Sequence, residues 1–582
     1  MRGRLVQSSE THGDRAIVFL GIPYAAPPVG VLRFKKPREP TAWNGILNAT
    51  EFASACVGLS NPLGFRQSED CLYLNVFAPH GRSSAFPAGY PVLVWIHGGG
   101  FVFGSSNAFP EDGIVELLCR KNVVVVTINY RLNVFGFLAT ENKAHGGNLG
   151  LWDQNMALKW VKNYIQQFEG NPNKITLIGE SSGAESVGAH LLSTASRGLF
   201  HGAILMGGSP LSPMAIKEGG HVAKKGAILA KALDCSDEDF VERCFPHVAR
   251  EEFVAAQQRL ILETGNSYGV FSMAPHHDDD FFRAGSVDAL MNQSLDVVPL
   301  MMGAAAVEIV QPGIEYTPYH GYDDRSAKAS IHVDRAKFGA VAASKVKEHF
   351  KLNDTAEGFE KAVSQAVLSV YWCDVIGESG CDEGERAKRF VQMMGDSYTV
   401  IDLLQFAKAR SEVGSPVWLY EFDHYNDKMF LPSSNVKAAY QGFDLFYLLN
   451  VSLACASNEI TPTEEDARVR ELLTTAVTNF AKFGTPSKGD FLPSWKPITL
   501  DNPRQRLRIT AEPKFLSGYR EADYKLWTET LPRILDDCRE KGECEVKGSS
   551  HASVSTEAIK RQPHAGDWLA FRQSFVCSAH RP

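Results

Sequence analysis

The clearest pattern in this 582-residue chain is a set of short, uninterrupted apolar runs separated by polar segments. Residues 92–96, 123–128 and 175–178 are apolar or β-branched at every position rather than alternating, which is typical of strands buried on both faces of a mostly parallel sheet. Between the last two runs, residues 151–168 carry apolar side chains at helical spacing. The alternation predicts an α/β fold, and two further strands are predicted over 297–302 and 417–422.

The later part of the chain differs from this alternating pattern. Residues 321–410 are mainly helical in spacing, which predicts a helical insertion over the sheet. After about Leu531 the chain becomes polar, so residues 531–582 are predicted to form a poorly packed polar tail.

A glycine-flanked serine follows the third apolar run directly. Gly179-Glu180-Ser181-Ser182-Gly183 fits a nucleophile elbow, in which glycines two residues away on each side permit a sharp strand-to-helix turn. The following residues continue with helical character, and a helix N-terminus favours negative charge near the serine. The pattern predicts Ser181 as a nucleophile, whereas an ordinary turn is the alternative.

A second glycine-rich segment, His97-Gly98-Gly99-Gly100-Phe101, follows the first apolar run. Residues without side chains let backbone N–H groups converge on one oxygen, so this loop predicts an oxyanion hole. The expected donors are the N–H groups of Gly99, Gly100 and Ser182.

Further segments resemble the signatures of the type-B carboxylesterases, the carboxylesterase/cholinesterase family of α/β hydrolases. The similarity runs from residue 1 to about 530 and rests on four motifs: FLGIPYA at 19–25 with PPVG at 27–30, SEDCLYLNV at 68–76, NYR at 129–131, and GNLGLWDQ at 147–154. It implies one α/β-hydrolase domain over residues 1–530, with a mostly parallel central sheet, flanking helices and helical insertions over an active-site gorge.

The same resemblance implies specific pairings and an activity. It implies ion pairs between Arg33 and Glu69 and between Arg131 and Asp153. It also implies disulfides joining Cys56 to Cys71 and Cys235 to Cys244. The expected reaction is hydrolysis of small hydrophobic carboxylic esters through an acyl-serine, with no cofactor and no metal. The tryptophan that choline esterases carry before the SEDCLYLN segment is missing, which argues against choline selectivity.

The acid and base of the expected catalytic triad match the family pattern less well than the serine does. Glu308, 127 residues after Ser181, fits the acid position, although three alanines precede it; a surface carboxylate is the alternative, and Glu315 is a weaker candidate. Where the family places histidine, this chain has Gln441. An uncharged amide cannot accept the serine proton, so severely impaired hydrolysis is expected. His320 and His424 are candidate replacements, though each also fits an ordinary loop residue.

Charge and cysteines bear on partners and location. The formal net charge is −8 without a long basic run, which argues against nucleic-acid binding, and no apolar run is long enough for a membrane anchor. Close cysteine pairs and four glycosylation sequons favour a secreted protein: Asn48, Asn292, Asn353 and Asn450. Met1 begins without a signal peptide, so we expect a leader and first strand to be lacking here; a cytoplasmic protein is the alternative.

Two classes of function therefore remain after the sequence is read. One is an impaired serine esterase, and the other is a non-catalytic, cholinesterase-like binder of hydrophobic ligands or of a protein partner. The sequence leaves open a homodimer and the pairing of seven cysteines: Cys119, Cys373, Cys381, Cys455, Cys538, Cys544 and Cys577.

Overall fold

The computed structural model describes the chain in segments that cover most of the first 544 residues. These are residues 1–7, 15–61, 64–81, 83–140, 147–213, 215–217, 219–235, 239–263, 273–283, 291, 297–308, 333–352, 355–373, 381–430, 436–451, 461–488, 494–541 and 543–544.

The strands of these segments form one sheet of eleven strands, in the order β1-β2-β3-β5-β4-β6-β7-β8-β9-β10-β11. Their bounds are β1 Arg4–Gln7, β2 Arg15–Pro23, β3 Tyr73–Pro79, β4 Tyr90–Ile96, β5 Val124–Ile128, β6 Gly170–Glu180, β7 Gly202–Met206, β8 Leu300–Ala305, β9 Val417–Phe422, β10 Arg506–Ile509 and β11 Lys514–Leu516.

The centre of the sheet is parallel, and its two margins are antiparallel. The strands from β5 through β10 pair in parallel, whereas β1, β2 and β3 at one margin and β11 at the other pair antiparallel with their neighbours. In β4, Val94 packs into the apolar core on one face of the sheet and Trp95 into the core on the other. Burial on both faces explains the uninterrupted apolar runs and confirms the predicted fold class.

Helices cover both faces of the sheet, as the α/β prediction requires. They are α1 Glu111–Leu117, α2 Asn133–Phe137, α3 Leu149–Tyr164, α4 Ser182–Leu192, α5 Gly219–Ala232, α6 Phe240–Arg243, α7 Arg250–Glu263, α8 Arg335–His349, α9 Phe359–Tyr371, α10 Glu383–Gly395, α11 Ile401–Glu412, α12 Phe443–Leu449, α13 Glu464–Phe483, α14 Glu521–Lys525 and α15 Leu531–Lys541. The four helices α8–α11 confirm the predicted helical character of the insertion. None of the described helices has the length and apolarity needed to cross a bilayer.

The structure differs from the predicted polar tail at its beginning. Leu531, Leu535 and Cys538 are buried along one face of α15, and their spacing of four and three residues is that of a helix. A disulfide joins Cys538 to Cys544, whose backbone N–H donates to the carbonyl of Glu357 at 2.7 Å. The expectation of poor packing was therefore wrong for helix α15, because a narrow apolar stripe is enough to dock a polar helix. Residues 545–582 lie outside the described segments.

The ion pairs and disulfides implied by the resemblance are present. Arg33 pairs with Glu69 at 2.5 Å, and Arg131 pairs with Asp153 at 2.7 Å. The disulfides are Cys56–Cys71, Cys235–Cys244, Cys373–Cys381 and Cys538–Cys544. Cys119 is a buried free thiol whose Sγ lies 3.5 Å from the carbonyl oxygen of Phe77, while Cys455 and Cys577 lie outside the described residues.

Candidate active site

Ser181 occupies a sharp turn between β6 and α4. Its backbone has φ 55° and ψ −126°, a conformation that costs a non-glycine residue about 1–3 kcal/mol. Hydrogen bonds on both sides hold the turn: Ser181 N–H donates to the carbonyl of Met206 at 2.9 Å, and Glu185 N–H donates to the carbonyl of Ser181 at 3.0 Å. The half-buried serine thus stands at the carboxyl end of the parallel strands, where such a turn presents its hydroxyl.

The glycine-rich loop after β4 packs against this turn. Gly99 and Gly100 have φ of 114° and 63°, values that suit residues without a Cβ and turn their peptide groups sharply. Phe101 N–H donates to Ser182 Oγ at 3.3 Å, and the Tyr130 hydroxyl donates to the carbonyl of His97 at 2.8 Å. The loop that carries two of the three expected oxyanion donors is therefore tied to the start of α4, which carries the third.

Glu308 lies just beyond β8 and is buried, with 2% of its surface exposed. Its Oε1 accepts a hydrogen bond from Ala305 N–H at 2.7 Å, whereas its Oε2 has no hydrogen-bond partner among the described residues. Burial raises the pKa of Glu308 to about 8, and the nearby Asp444 adds to the rise. The surface-carboxylate alternative is thus wrong, and one buried carboxyl oxygen remains available to a further donor.

Gln441, just before α12, lies close to Glu308. Its N–H donates to the carbonyl of Val307 at 3.0 Å, and its Nε2 lies 3.5 Å from the carbonyl oxygen of Gly207. Gly207, with φ 57°, also contacts Glu308, since a methyl group at Gly207 would lie 3.0 Å from Oε1. Gly207 follows Met206, whose carbonyl supports Ser181. The structure therefore brings together Ser181, Glu308 and Gln441, although they are far apart in sequence.

The described histidines do not supply an evident replacement base. His424 Nε2 lies 2.9 Å from Asp466 Oδ1, which also accepts from Tyr447, so this imidazole belongs to a separate network. His97 Nδ1 lies 2.9 Å from the carbonyl oxygen of Gly98, and burial lowers the pKa of His97 to about 4. Both imidazoles are therefore engaged by other groups among the described residues. His320 and the alternative acid Glu315 lie outside these residues.

Two acidic residues at the site were missed in the sequence analysis. Glu180, at the end of β6, and Asp444, in α12, are buried with 5% and 3% of their surfaces exposed. Burial raises the pKa of Glu180 well above its ordinary range, as do Asp444 and Glu308, and burial raises that of Asp444 to about 7. Each lies within a motif already recognised, one residue before Ser181 and three after Gln441, so their positions in sequence could have indicated them.

The remaining predicted residues lie elsewhere on the molecule. Asn48 is exposed, whereas the Asn450 side chain accepts from Arg470 Nη2 at 3.3 Å and its Cβ packs near Gly113. Asn292 and Asn353 lie outside the described residues. In the part of the chain that is described, no three His, Cys, Asp or Glu side chains are grouped to share a metal ion.

The sheet, the strained serine and the glycine-rich loop define an α/β hydrolase of the serine-esterase type. The model of the Carboxylesterase family matches residues 1–527, so this chain belongs to the carboxylesterase family. It is 30% identical to pyrethroid hydrolase Ces2a of Mus musculus over 557 residues, covering 93% of this chain and 91% of that protein.

Two other relatives match this chain over most of their length. The chain is 33% identical to esterase cest-33 of Caenorhabditis elegans over 508 residues, covering 84% of this chain and 86% of that protein. It is 31% identical to acetylcholinesterase of Bungarus fasciatus over 540 residues, covering 89% of this chain and 83% of that protein. Ester hydrolysis is therefore the reaction of the family to which this chain belongs.

Proposed function

We propose that this protein binds small hydrophobic carboxylic esters and forms an acyl-serine at Ser181, with turnover severely limited by Gln441. The observation that supports this most is the combination of an intact, strained serine turn and oxyanion loop with an amide beside the buried Glu308. The relatives named as hydrolases and esterases support the substrate class.

The chemistry follows from the groups present. Ser181 Oγ bonds to the ester carbonyl carbon while its proton passes to a neighbouring base, and the carbonyl electrons collect on an oxygen facing the N–H groups of Gly99, Gly100 and Ser182. The alkoxide then leaves with a proton, and water later releases the acid. Such donors are worth about 10²–10³ in rate each, and we propose that these three N–H groups supply them.

The Gln441 amide cannot shuttle the proton in either half of the reaction. In subtilisin, removing the histidine base costs about a million-fold in turnover, yet about 10³–10⁴ over water survives through the oxyanion hole and binding. We therefore expect slow acylation and still slower deacylation.

Covalent labelling by an organophosphate, followed by mass spectrometry, tests the proposal most directly. The expected result is one adduct on Ser181 and none in Ser181→Ala. Gln441→His should raise turnover of a p-nitrophenyl ester by at least 10³-fold, because the free carboxyl oxygen of Glu308 can accept a hydrogen bond from the imidazole N–H that does not face Ser181. Gln441→Asn is the matched control, since it keeps an amide, and it should give no gain.

Two outcomes would contradict the proposal. An absence of any adduct, together with saturable binding of the ester, would favour the non-catalytic binder of ligands or partners. An unmodified chain that turns over as fast as Gln441→His would show that another group already serves as an efficient base.

We further propose that the protein passes through the secretory pathway. Four disulfides support an oxidising compartment, and the exposed Asn48 offers an accessible sequon, whereas Asn450 is engaged by Arg470. Expression in a secreting eukaryotic cell should give a glycosidase-sensitive mobility shift that is reduced in Asn48→Gln. An unmodified chain with reduced cysteines would instead favour the cytoplasm.

A further inference from the structure

Glu180 is the buried carboxyl group nearest to Ser181 along the chain, and Gly98 shows how close the two side chains lie. A methyl group on Gly98 would stand 2.9 Å from Glu180 Oε2 and 3.2 Å from Ser181 Cβ. The carboxyl oxygen and the serine Cβ are therefore at most about 6 Å apart, on the same side of the oxyanion loop. One water molecule can bridge the serine hydroxyl and the carboxyl oxygen across such a distance.

The groups around Glu180 are mostly acidic. Burial disfavours its ionised form, and so do Asp444 on α12, Glu308 beyond β8 and Glu185 on α4. Asp444 and Glu308 also act on the Tyr420 hydroxyl of β9. Hydrogen bonding from the Gln441 amide opposes this by favouring the carboxylate. Glu180 therefore holds its proton more tightly than an exposed glutamate and, once ionised, is a stronger base.

We propose that Glu180 is the catalytic residue that accepts the Ser181 proton in the slow reaction left to this chain, an inference that rests on the proposed function. As Ser181 Oγ bonds to the carbonyl carbon, its proton passes to the Glu180 carboxylate. The neutral acid returns that proton to the departing alkoxide when the carbon–oxygen bond of the ester breaks. In deacylation, water gives a proton to Glu180 as it attacks the acyl carbon, and that proton passes to Ser181 Oγ as it leaves.

His97 is the rival base, because its Nε2 is buried without a hydrogen-bond partner among the described residues. The two candidates differ in their pH dependence. His97, with its pKa lowered to about 4, would already be neutral above pH 5 and would give a flat profile. Glu180 must lose a tightly held proton, so the acylation rate should rise with pH above the range in which an ordinary glutamate ionises.

The test measures the rate of organophosphate labelling and the p-nitrophenyl ester burst, each corrected for Ser181→Ala. Glu180→Gln in the natural Gln441 chain should slow acylation by at least 100-fold at pH 8.5 and abolish the rise with pH, within the usual range for a general base. In Gln441→His the same change should cost less than 10-fold, because the imidazole then takes the proton. Glu180→Asp should keep at least ten times the rate of Glu180→Gln.

Glu465→Gln is the control, since it removes an exposed carboxyl from α13 that pairs with Arg468, and it should change the rate by less than threefold. Equal losses from Glu180→Gln in both backgrounds would overturn the assignment, and so would a flat profile in the natural chain. The pH profile and Glu180→Asp decide the matter even where Glu180→Gln does not fold. A complete absence of labelling in every variant would instead contradict the proposed function itself.

Discussion

The Ser182 hydroxyl should control the oxyanion loop without being a donor in the oxyanion hole. Its Oγ accepts from Phe101 N–H at 3.3 Å, and Phe101 is 1% exposed with φ 63°, directly after Gly99 and Gly100. The Tyr130 hydroxyl, which donates to the carbonyl of His97 in the same loop, also has a hydrogen-bonding contact with the Ser182 side chain. Ser182→Ala removes this acceptor and keeps the backbone N–H of residue 182, so it tests the position of the loop alone.

The expected magnitude follows from the group left behind. A buried N–H that loses its acceptor costs about 1–3 kcal/mol. The left-handed backbone conformation of Phe101 itself costs about 1–3 kcal/mol. Once the hydrogen bond to Ser182 is lost, the loop can recover this energy by moving to a less strained conformation. We expect the free energy of unfolding to fall by about 1–3 kcal/mol, and the rate of Ser181 labelling to fall by about 5- to 150-fold.

Urea unfolding and the kinetics of organophosphate labelling measure the two effects separately. Ser186→Ala is the matched control, because Ser186 is buried in the same helix and its hydroxyl accepts from Gln154 Nε2 at 3.1 Å. It should lose similar stability while its labelling rate stays within about twofold. The reasoning fails if Ser182→Ala labels at the natural rate, or if both variants slow equally.

Three further predictions concern stability. Asp153→Asn should cost about 3–5 kcal/mol in urea unfolding, because it leaves the buried Arg131 guanidinium without its charge partner. Native Glu308, with its pKa raised to about 8, binds its proton more tightly than unfolded Glu308, so its contribution to stability should fall as pH rises from about 4.5 to 8. Glu308→Gln should remove that decline, up to about 1.4 kcal/mol per pH unit, in unfolding measured at pH 5.5 and 8. Replacing Cys56 and Cys71 with alanine should cost about 3 kcal/mol, since the disulfide spans 15 residues.

Controls for these predictions come from the same molecule. Asp423→Asn breaks the exposed pair with Arg508 and should cost no more than about 1 kcal/mol. A loss as large as that of Asp153→Asn would show that burial does not set the cost. If the free energy of unfolding of Glu308→Gln still declined with pH as in the natural chain, a group other than Glu308 would be responsible for the decline. A reductant, which opens all four disulfides, should cost at least as much stability as the double cysteine variant, and a larger loss from the variant would indicate damage to packing instead.

The sequence alone determined much of the architecture. Runs such as residues 92–96 became strands because a strand covered on both faces has no solvent side to require polar residues. The strand predicted at 297–302 is displaced to Leu300–Ala305, because apolarity marks burial rather than the ends of hydrogen-bonded pairing. The serine turn and the glycine-rich loop were visible for a similar reason, since each depends on conformations that few residues can adopt.

Only the tertiary structure decided what surrounds the serine. Gln441 and Glu308 meet at Gly207 because parallel strands end along one edge of the sheet, a proximity that arises from long-range packing. The position of Glu180 was given by its motif, but its charge state depends on carboxyl groups that the fold places beside it, from the end of β8 and from α12. Local preferences fix a turn or a strand, whereas the free energy of a buried proton is set by every charge packed around it.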